Sequence, residues 1–348
     1  MPDKVNIGVI GAGWWATFSH IPALIANPHV DIVAINRPDA VGLETVSKTF
    51  GLSHAYRDAR DMLDKETLHG VVVASPHVLH AEHATLALER GLTVLIEKPM
   101  ATSAADARAL VALAKARGGE IIMPYGWNYK AMTDVAHRLI RDGFIGEVRH
   151  VVAQMASALA DLFGGEPMAE TRDHLFRPPA STWADPKRSG GYGWGQLTHG
   201  LGAVFRLVDL EPARVFARTG LSPAGVDFYD AAVVELANGA TMVLSGSATV
   251  PKARGFQLDI RVFGTEGMLL FDVERTRVEA VRHDGTTHVE TLDADAGTYE
   301  QEEPITRLVE LCRGQDVVNP ADGLIGARAT AVQDAMYRSA KSGRMEEV

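Results

Sequence analysis

The sequence predicts an α/β protein in two parts. The first is a doubly wound parallel sheet, the second an α+β region on a large, mostly antiparallel open sheet. Three observations carry this. Strand-like and helical runs alternate through the first 124 residues, the pattern of a parallel sheet covered on both faces. A glycine-rich bend, Gly11-x-Gly13-x-x-Ala16, falls between the first strand and the first helix. After residue 124 strand-like runs follow one another closely.

"VNIGVIG" and "VDIVAIN" read as strands flanking the helical "ATFSHIPALIAN". "AVGLETVSKTFG" is a helix with a glycine stop. "GVVVASP" is continuously apolar and β-branched, hence a buried strand. "HAEHATLALERG", "LTVLIEKP", "SAADARALVALAKARGG" and "EIIMPYG" continue as helix, strand, helix, strand. The second region opens with the helical "DVAHRLIRDGFIG" and the long strand "EVRHVVAQMA". Residues 158–198 are irregular and rich in Gly, Pro and Trp. From residue 212 strands are joined by turns such as "ANGA" and "GTEG". The expected domains are 1–124 and 125–348, with a C-terminal helix over about 322–343 that packs back on the first domain.

The bulk numbers exclude several classes. The chain has 348 residues, 46% hydrophobic and 22% charged, an ordinary globular composition. No apolar run reaches the roughly 18 residues of a membrane span. The start "MPDKVNIGVIG" lacks the features of a signal peptide, and Cys312 is the only cysteine. A cytoplasmic location is therefore expected, with Cys312 a buried small hydrophobe. A net charge of −10 with no basic stripe argues against nucleic acid as a partner. No clustered ligand spacing suggests a metal.

The bend fits a dinucleotide site. Gly11 permits the tight turn, Gly13 lets backbone approach a pyrophosphate, and small Ala16 lets helix and strand pack closely. The diphosphate then meets N–H groups at the positive helix end. A flavodoxin-like or methyltransferase glycine loop is the alternative. The second strand ends in Asn36 and Arg37 where an acidic ribose ligand is usual. Arg37 suits the 2′-phosphate of NADP. Against this, Asp39 lies close by and Asn36 has an amide that suits NAD. NADP(H) is favoured over NAD(H).

Three further stretches make the chain resemble the Gfo/Idh/MocA oxidoreductases, the glucose–fructose oxidoreductase and inositol dehydrogenase family. "ASPHVLHAEHATLALERG" is similar to the family's T-P-N-x-x-H stretch, with Ser75 and His77 replacing threonine and asparagine, and Pro76 and His80 matching. "VLIEKPM" carries the E-K-P signature as Glu97-Lys98-Pro99. "GGYGWGQLTHGLGAVFRL" is similar to the glycine-rich run ending D-x-x-x-H, with His199 as the histidine. The likeness spans essentially the whole chain.

The resemblance implies a Rossmann domain, hydride transfer between nicotinamide and a secondary alcohol or ketone of a sugar, cyclitol or sugar derivative, and a homodimer or homotetramer formed through the second sheet. It implies cofactor contacts at Ser75, His77, His80, Glu97, Lys98 and Asn128, a cis Lys98–Pro99 bond, and Trp14 or Trp15 walling the nicotinamide. Lys98 ends a buried parallel strand, where doubly wound folds bind ligands. Burial readily tunes a lysine's pKa, so Lys98 could polarise or protonate the substrate oxygen; a surface pair with Glu97 is the plainer reading. His199 suits general acid–base work, against a core histidine in "LTHGLGAVF". Trp127, Asn128, Tyr192, Trp194 and Gln196 are the expected substrate-facing residues, because aromatics with interspersed polar groups suit a polyol; core packing competes for each. His20 stays open between packing and substrate contact.

The chain departs from the family at Gly195, where the usual aspartate is missing. Asp161, Asp185 and Tyr192 are candidate substitutes. The departure keeps rivals open: a redox-assisted glycoside hydrolase or lyase with tightly held NAD, a non-catalytic NAD(P)-binding regulatory protein, and, disfavoured by the E-K-P segment, a methyltransferase.

Overall fold

The structure, a computed structural model, describes residues 3–348. The chain forms two compact units. The first takes the chain up to Pro124 and adds two later stretches, Pro167–Thr182 and Gln301–Ala327. The second holds Tyr125–Glu166, Trp183–Glu300 and Arg328–Val348. Sequence pattern marks the change at residue 124 but not the two returns, because a segment's destination depends on long-range contact rather than on local period. The helix Gly323–Ser342 consequently starts in the first unit and ends in the second.

The first unit is built on six parallel strands: β1 (Val5–Ile10), β2 (Val30–Asn36), β3 (Ala55–Tyr56), β4 (Gly70–Val73), β5 (Thr93–Ile96) and β6 (Ile121–Ile122). Their order is β3-β2-β1-β4-β5-β6. The central strands read as unbroken apolar runs because both faces are covered; Val9, Ile10, Val71, Val72, Leu95 and Ile96 have no exposed surface. Local chemistry starts the helices. Asp39 accepts the Gly42 N–H at the head of Ala40–Phe50, and Ser103 the Asp106 N–H at the head of Ala104–Arg117. At the β6 edge the returning chain is tied on by Met123 N–H donating to Ala321 O at 2.8 Å. The helix Glu303–Cys312 lies against this sheet. Cys312 is half-buried rather than fully buried, with its thiol over Gly70 and its pKa pushed up to about 12 by burial. Strand order reverses between β1 and β4, the switch point where open α/β sheets hold ligands.

The second unit is built on nine strands: β7 (Val148–Ala156), β8 (Pro212–Leu221), β9 (Asp227–Leu236), β10 (Thr241–Ser247), β11 (Gln257–Gly264), β12 (Gly267–Asp272), β13 (Arg277–Arg282), β14 (Thr287–Val289) and β15 (Glu346–Glu347). Their order is β14-β13-β12-β11-β7-β10-β9-β8-β15, antiparallel throughout except β7 beside β10. Alternation sends Val151, Ala153, Met155, Val234, Met242, Leu244, Ile260 and Val262 into the core. The helices Ala131–Arg141 and Thr198–Leu207 pack on the sheet. Among the described residues no helix is long and apolar enough to cross a membrane.

Candidate active site

The first unit gathers its polar groups at the carboxyl ends of β1, β2, β4 and β5. Past β1, Gly11 takes φ +84°, a conformation that suits glycine, and a Cβ there would collide with the Ala74–Ser75 backbone. The N–H groups of Gly11 and Ala12 both donate to Asn36 O, at 3.0 and 2.9 Å, which welds the turn to the end of β2. At Gly13 a Cβ would meet nothing closer than Arg37 Nη1 at 3.8 Å. The space beside this glycine is open to a ligand rather than filled by protein. The helix that follows begins with a π-turn over Ala16–His20, and such turns are frequent at functional sites. Its first turn presents backbone N–H groups with no acceptor ahead of them in the helix. Buried Ala16, 1% exposed, gives the close helix–strand packing the motif requires. These features fit a dinucleotide pyrophosphate.

Arg37 lies beside this turn. Nη1 donates to Ala12 O at 3.0 Å, Nε reaches Asp39 at 3.3 Å, and the guanidinium lies 4.2 Å from the ring centre of Phe176 in a returning segment. Asp39 is held below its usual range, first by the Gly42 N–H it caps. Asn36 is 3% exposed and its side-chain amide donates to Tyr56 O at 3.1 Å, so that donor is engaged within the fold. The same returning segment reaches the tryptophans. Trp14 Nε1 donates to His174 Nδ1 at 2.9 Å, Phe18 stacks on His174 at 4.2 Å, and Trp15 lies edge-on to Trp14.

At the end of β5, Lys98 and Pro99 are joined by a cis bond. Buried Glu97 accepts from His20 Nε2 at 2.7 Å and from the Lys98 N–H at 3.1 Å. Burial alone would raise the Glu97 pKa; the His20 bond and charge, with Lys98, overcome it and hold it down at about 2. Lys98 is half-buried, and desolvation of its ammonium brings the pKa down to about 8 against the pull of Glu97. His80 faces Ser75 O at 2.6 Å and Pro99 O at 2.7 Å, bracing the loops after β4 and β5 against each other. A neutral ring donates to only one of these. Burial lowers the His80 pKa while both carbonyls and Glu97 work to raise it. Buried His77 lies edge-on to His80, and Ser75 Oγ pairs with His83 Nδ1 at 2.9 Å. His20, open in the sequence, is therefore the partner of Glu97.

In the second unit His199 sits in the first turn of Thr198–Leu207, 6% exposed. Its ring is enclosed edge-on by Tyr125, Trp127 and Tyr299, at 5.9, 6.1 and 5.3 Å between centres. Tyr299 OH is 3.4 Å from His199 Nδ1, a long contact. Trp127 Nε1 donates to Gly297 O and Asn128 Nδ2 to Gly202 O, so both serve to hold this wall. Tyr299 carried no signal in the sequence; it is brought in by fold, 100 residues from His199.

All three expected substrate-facing rings are buried; Trp127 in the wall around His199 is 2% exposed, and two others are packed elsewhere. Tyr192 has no exposed surface, bonds Ser157 Oγ at 2.9 Å, and its pKa is raised well above the usual range by burial. Trp194, 6% exposed, stacks on Tyr337 at 5.1 Å. Neighbouring Gln196 is half-buried. The proposed substitutes for the missing aspartate are engaged too: Asp161 pairs with Lys252 at 2.8 Å, and Asp185 caps Lys187 N–H at 2.9 Å. Gly195 itself has a steric cause. A Cβ there would lie 2.9 Å from Phe163 and 3.0 Å from Trp183. Gly195→Asp is therefore expected to cost at least about 2 kcal/mol, through overpacking and a buried carboxylate. Denaturant unfolding would read this, with no gain in turnover. Among the described residues no group of His, Cys, Asp and Glu could hold a metal ion.

Residues 5–125 match the family described as "Oxidoreductase family, NAD-binding Rossmann fold", and residues 134–270 match its C-terminal domain. The chain belongs to the Gfo/Idh/MocA oxidoreductase family. It is similar to the dTDP-3,4-didehydro-2,6-dideoxy-alpha-D-glucose 3-reductase of Streptomyces antibioticus, 29% identical over 85% of this chain and 86% of that one. It is also similar to D-xylose 1-dehydrogenase (NADP(+)) 2 of Haloferax volcanii, 26% identical over 98% and 99%. A solved structure, the WlbA dehydrogenase of Bordetella pertussis in complex with NADH and UDP-GlcNAcA, shares the fold at TM-score 0.76 and 21% identity, covering 99% of both chains. The family match describes the fold of residues 5–125, which include the glycine turn, as NAD-binding.

Proposed function

We propose that this Gfo/Idh/MocA member interconverts a secondary alcohol and a ketone on a sugar or sugar derivative, with NAD(P) as hydride carrier. The observation that carries the reading is Lys98. Its ammonium, pulled down to about 8, sits at the carboxyl end of β5 near the switch point that holds the glycine turn. A lysine with that pKa exchanges a proton near neutrality. Gly11, Gly13 and Ala16 hold the pyrophosphate, Arg37 the adenosine end, and Trp14 or Trp15 lies toward the nicotinamide. Bound there, the nicotinamide supplies or accepts the hydride. Lys98 gives the proton to the oxygen during reduction and takes it during oxidation. His199 is the second acid–base group, oriented by its aromatic surround. The sugar class rests on the named activities of the relatives.

Fluorescence titration with NADPH and NADH, followed by a screen of pentoses, hexoses and cyclitols at the nicotinamide absorbance band, tests this. Binding of neither dinucleotide, or binding without turnover on any of them, would sink it. NADP(H) is the preferred form because Arg37 offers a fork of donors where an acid is usual. Arg37→Ala should weaken NADPH by about tenfold or more, the worth of one or two charge-assisted bonds, and NADH by less. Equal losses would discard the preference.

We also propose a homo-oligomer formed through the outer face of the second sheet, and a cytoplasmic location, which the half-buried lone thiol suits. Across that face Phe216, Val233, Val243 and Val152 stand in register on β8, β9, β10 and β7, with Val233 and Val243 42% and 39% exposed. Light scattering on the purified protein would show a monomer if this is wrong.

A further inference from the structure

The helix carrying His199 is entered through a π-turn, Gly193–Leu197, whose first residues are gripped from three sides. Gly193 N–H donates to Asp227 Oδ2 at 2.6 Å, and Gly193 O accepts from Gln333 Nε2 at 2.5 Å. Trp194 N–H donates to Tyr337 OH at 3.2 Å. Tyr337 OH in turn donates to Asp227 Oδ1 at 2.7 Å, and its ring lies nearly parallel to that of Trp194. Both oxygens of Asp227 are thereby used. Gly191, at φ +113°, brings the preceding backbone against the same carboxylate, where a Cβ would collide with Oδ1.

Asp230 is the second carboxyl. Asp227 and Asp230 are 2% and 3% exposed, and no donor from elsewhere in the fold reaches either oxygen of Asp230. Burial and then the charge of Asp227 push the Asp230 pKa well above the usual range. Burial raises Asp227 as well, with Gly193 N–H and Tyr337 OH working against it. The titratable neighbours facing the pair are Tyr337 from the last helix and Tyr192 before the turn, the latter bonded to Ser157 at the end of β7. Both phenols are held protonated, by burial first and then by repulsion from the carboxyls.

We propose that Asp227 and Tyr337 are positioning residues, a clamp that seats the Gly193–Leu197 turn and so places His199. This rests on the acid–base reading of His199. The clamp works through the two Asp227 oxygens, which accept from Gly193 N–H and Tyr337 OH.

The test follows the His199 ring by proton–carbon NMR in histidine-labelled full-length protein, the signal identified by its loss in His199→Asn. Asp227→Asn and Tyr337→Phe should each displace that signal. Each should lower kcat on the best sugar of the screen by about tenfold or more, while NADH affinity stays within about twofold. An unmoved His199 signal in folded Asp227→Asn and Tyr337→Phe overturns the clamp. A displaced signal with unchanged kcat supports the clamp and removes His199 from the chemistry.

Discussion

Replacing Lys98 by methionine should lower turnover by about three orders of magnitude, the upper range for one general acid–base group. The dissociation constants of NADPH and NADH should stay within about twofold, since the proposed phosphate turn is built from Gly11, Gly13 and the end of β2, not from Lys98. Methionine matches the length of the lysine stem and removes only the ionisable head. The pH profile gives a second readout with a definite sign. With the lysine at about 8, oxidation needs the neutral amine and should speed up as pH rises through 8, whereas reduction needs the ammonium and should slow over the same range. Lys98→Met should lose both limbs. Retained activity in this variant would dispose of the proposed chemistry.

The second large effect is on stability. His20→Leu leaves the Glu97 carboxylate buried without its imidazole donor, and breaking a buried pair of this kind costs about 3 kcal/mol or more. Urea unfolding at neutral pH would measure it, and a change under about 1 kcal/mol would show that the pair contributes little. The pH dependence has a fixed direction. Glu97 sits at about 2 when folded against an ordinary 4.5, so its contribution is present above 4.5 and is lost as pH falls toward 2. The amount at stake is on the order of 3 kcal/mol. Glu97→Gln should flatten that part of the acid limb.

Much of the first unit was legible from the chain. Alternating runs such as "VNIGVIG" and "GVVVASP" encode buried parallel strands, because period and β-branching report which faces are covered. Gly11 was readable as a turn residue because its φ of +84° is a backbone property with a residue-type signature. The E-K-P segment and His199 were readable as a pattern of residue types in order. Tyr192 and Trp194 were misread as substrate walls, since an aromatic in a glycine-rich stretch looks the same whether it meets a ligand or another ring.

Local periodicity and backbone chemistry thus determined the doubly wound sheet, the open second sheet, the glycine turn and the strand end that carries Lys98. Tertiary structure alone decided which side chains meet. His20 and Glu97 are 77 residues apart, Trp14 and His174 160, and Asp227 and Tyr337 110. Gly195 acquired its reason only when Phe163 and Trp183 closed over it. The physical cause is common to all of them. A hydrogen bond or a ring contact acts over a few ångströms, whereas sequence pattern records only which face of its own strand or helix a residue occupies.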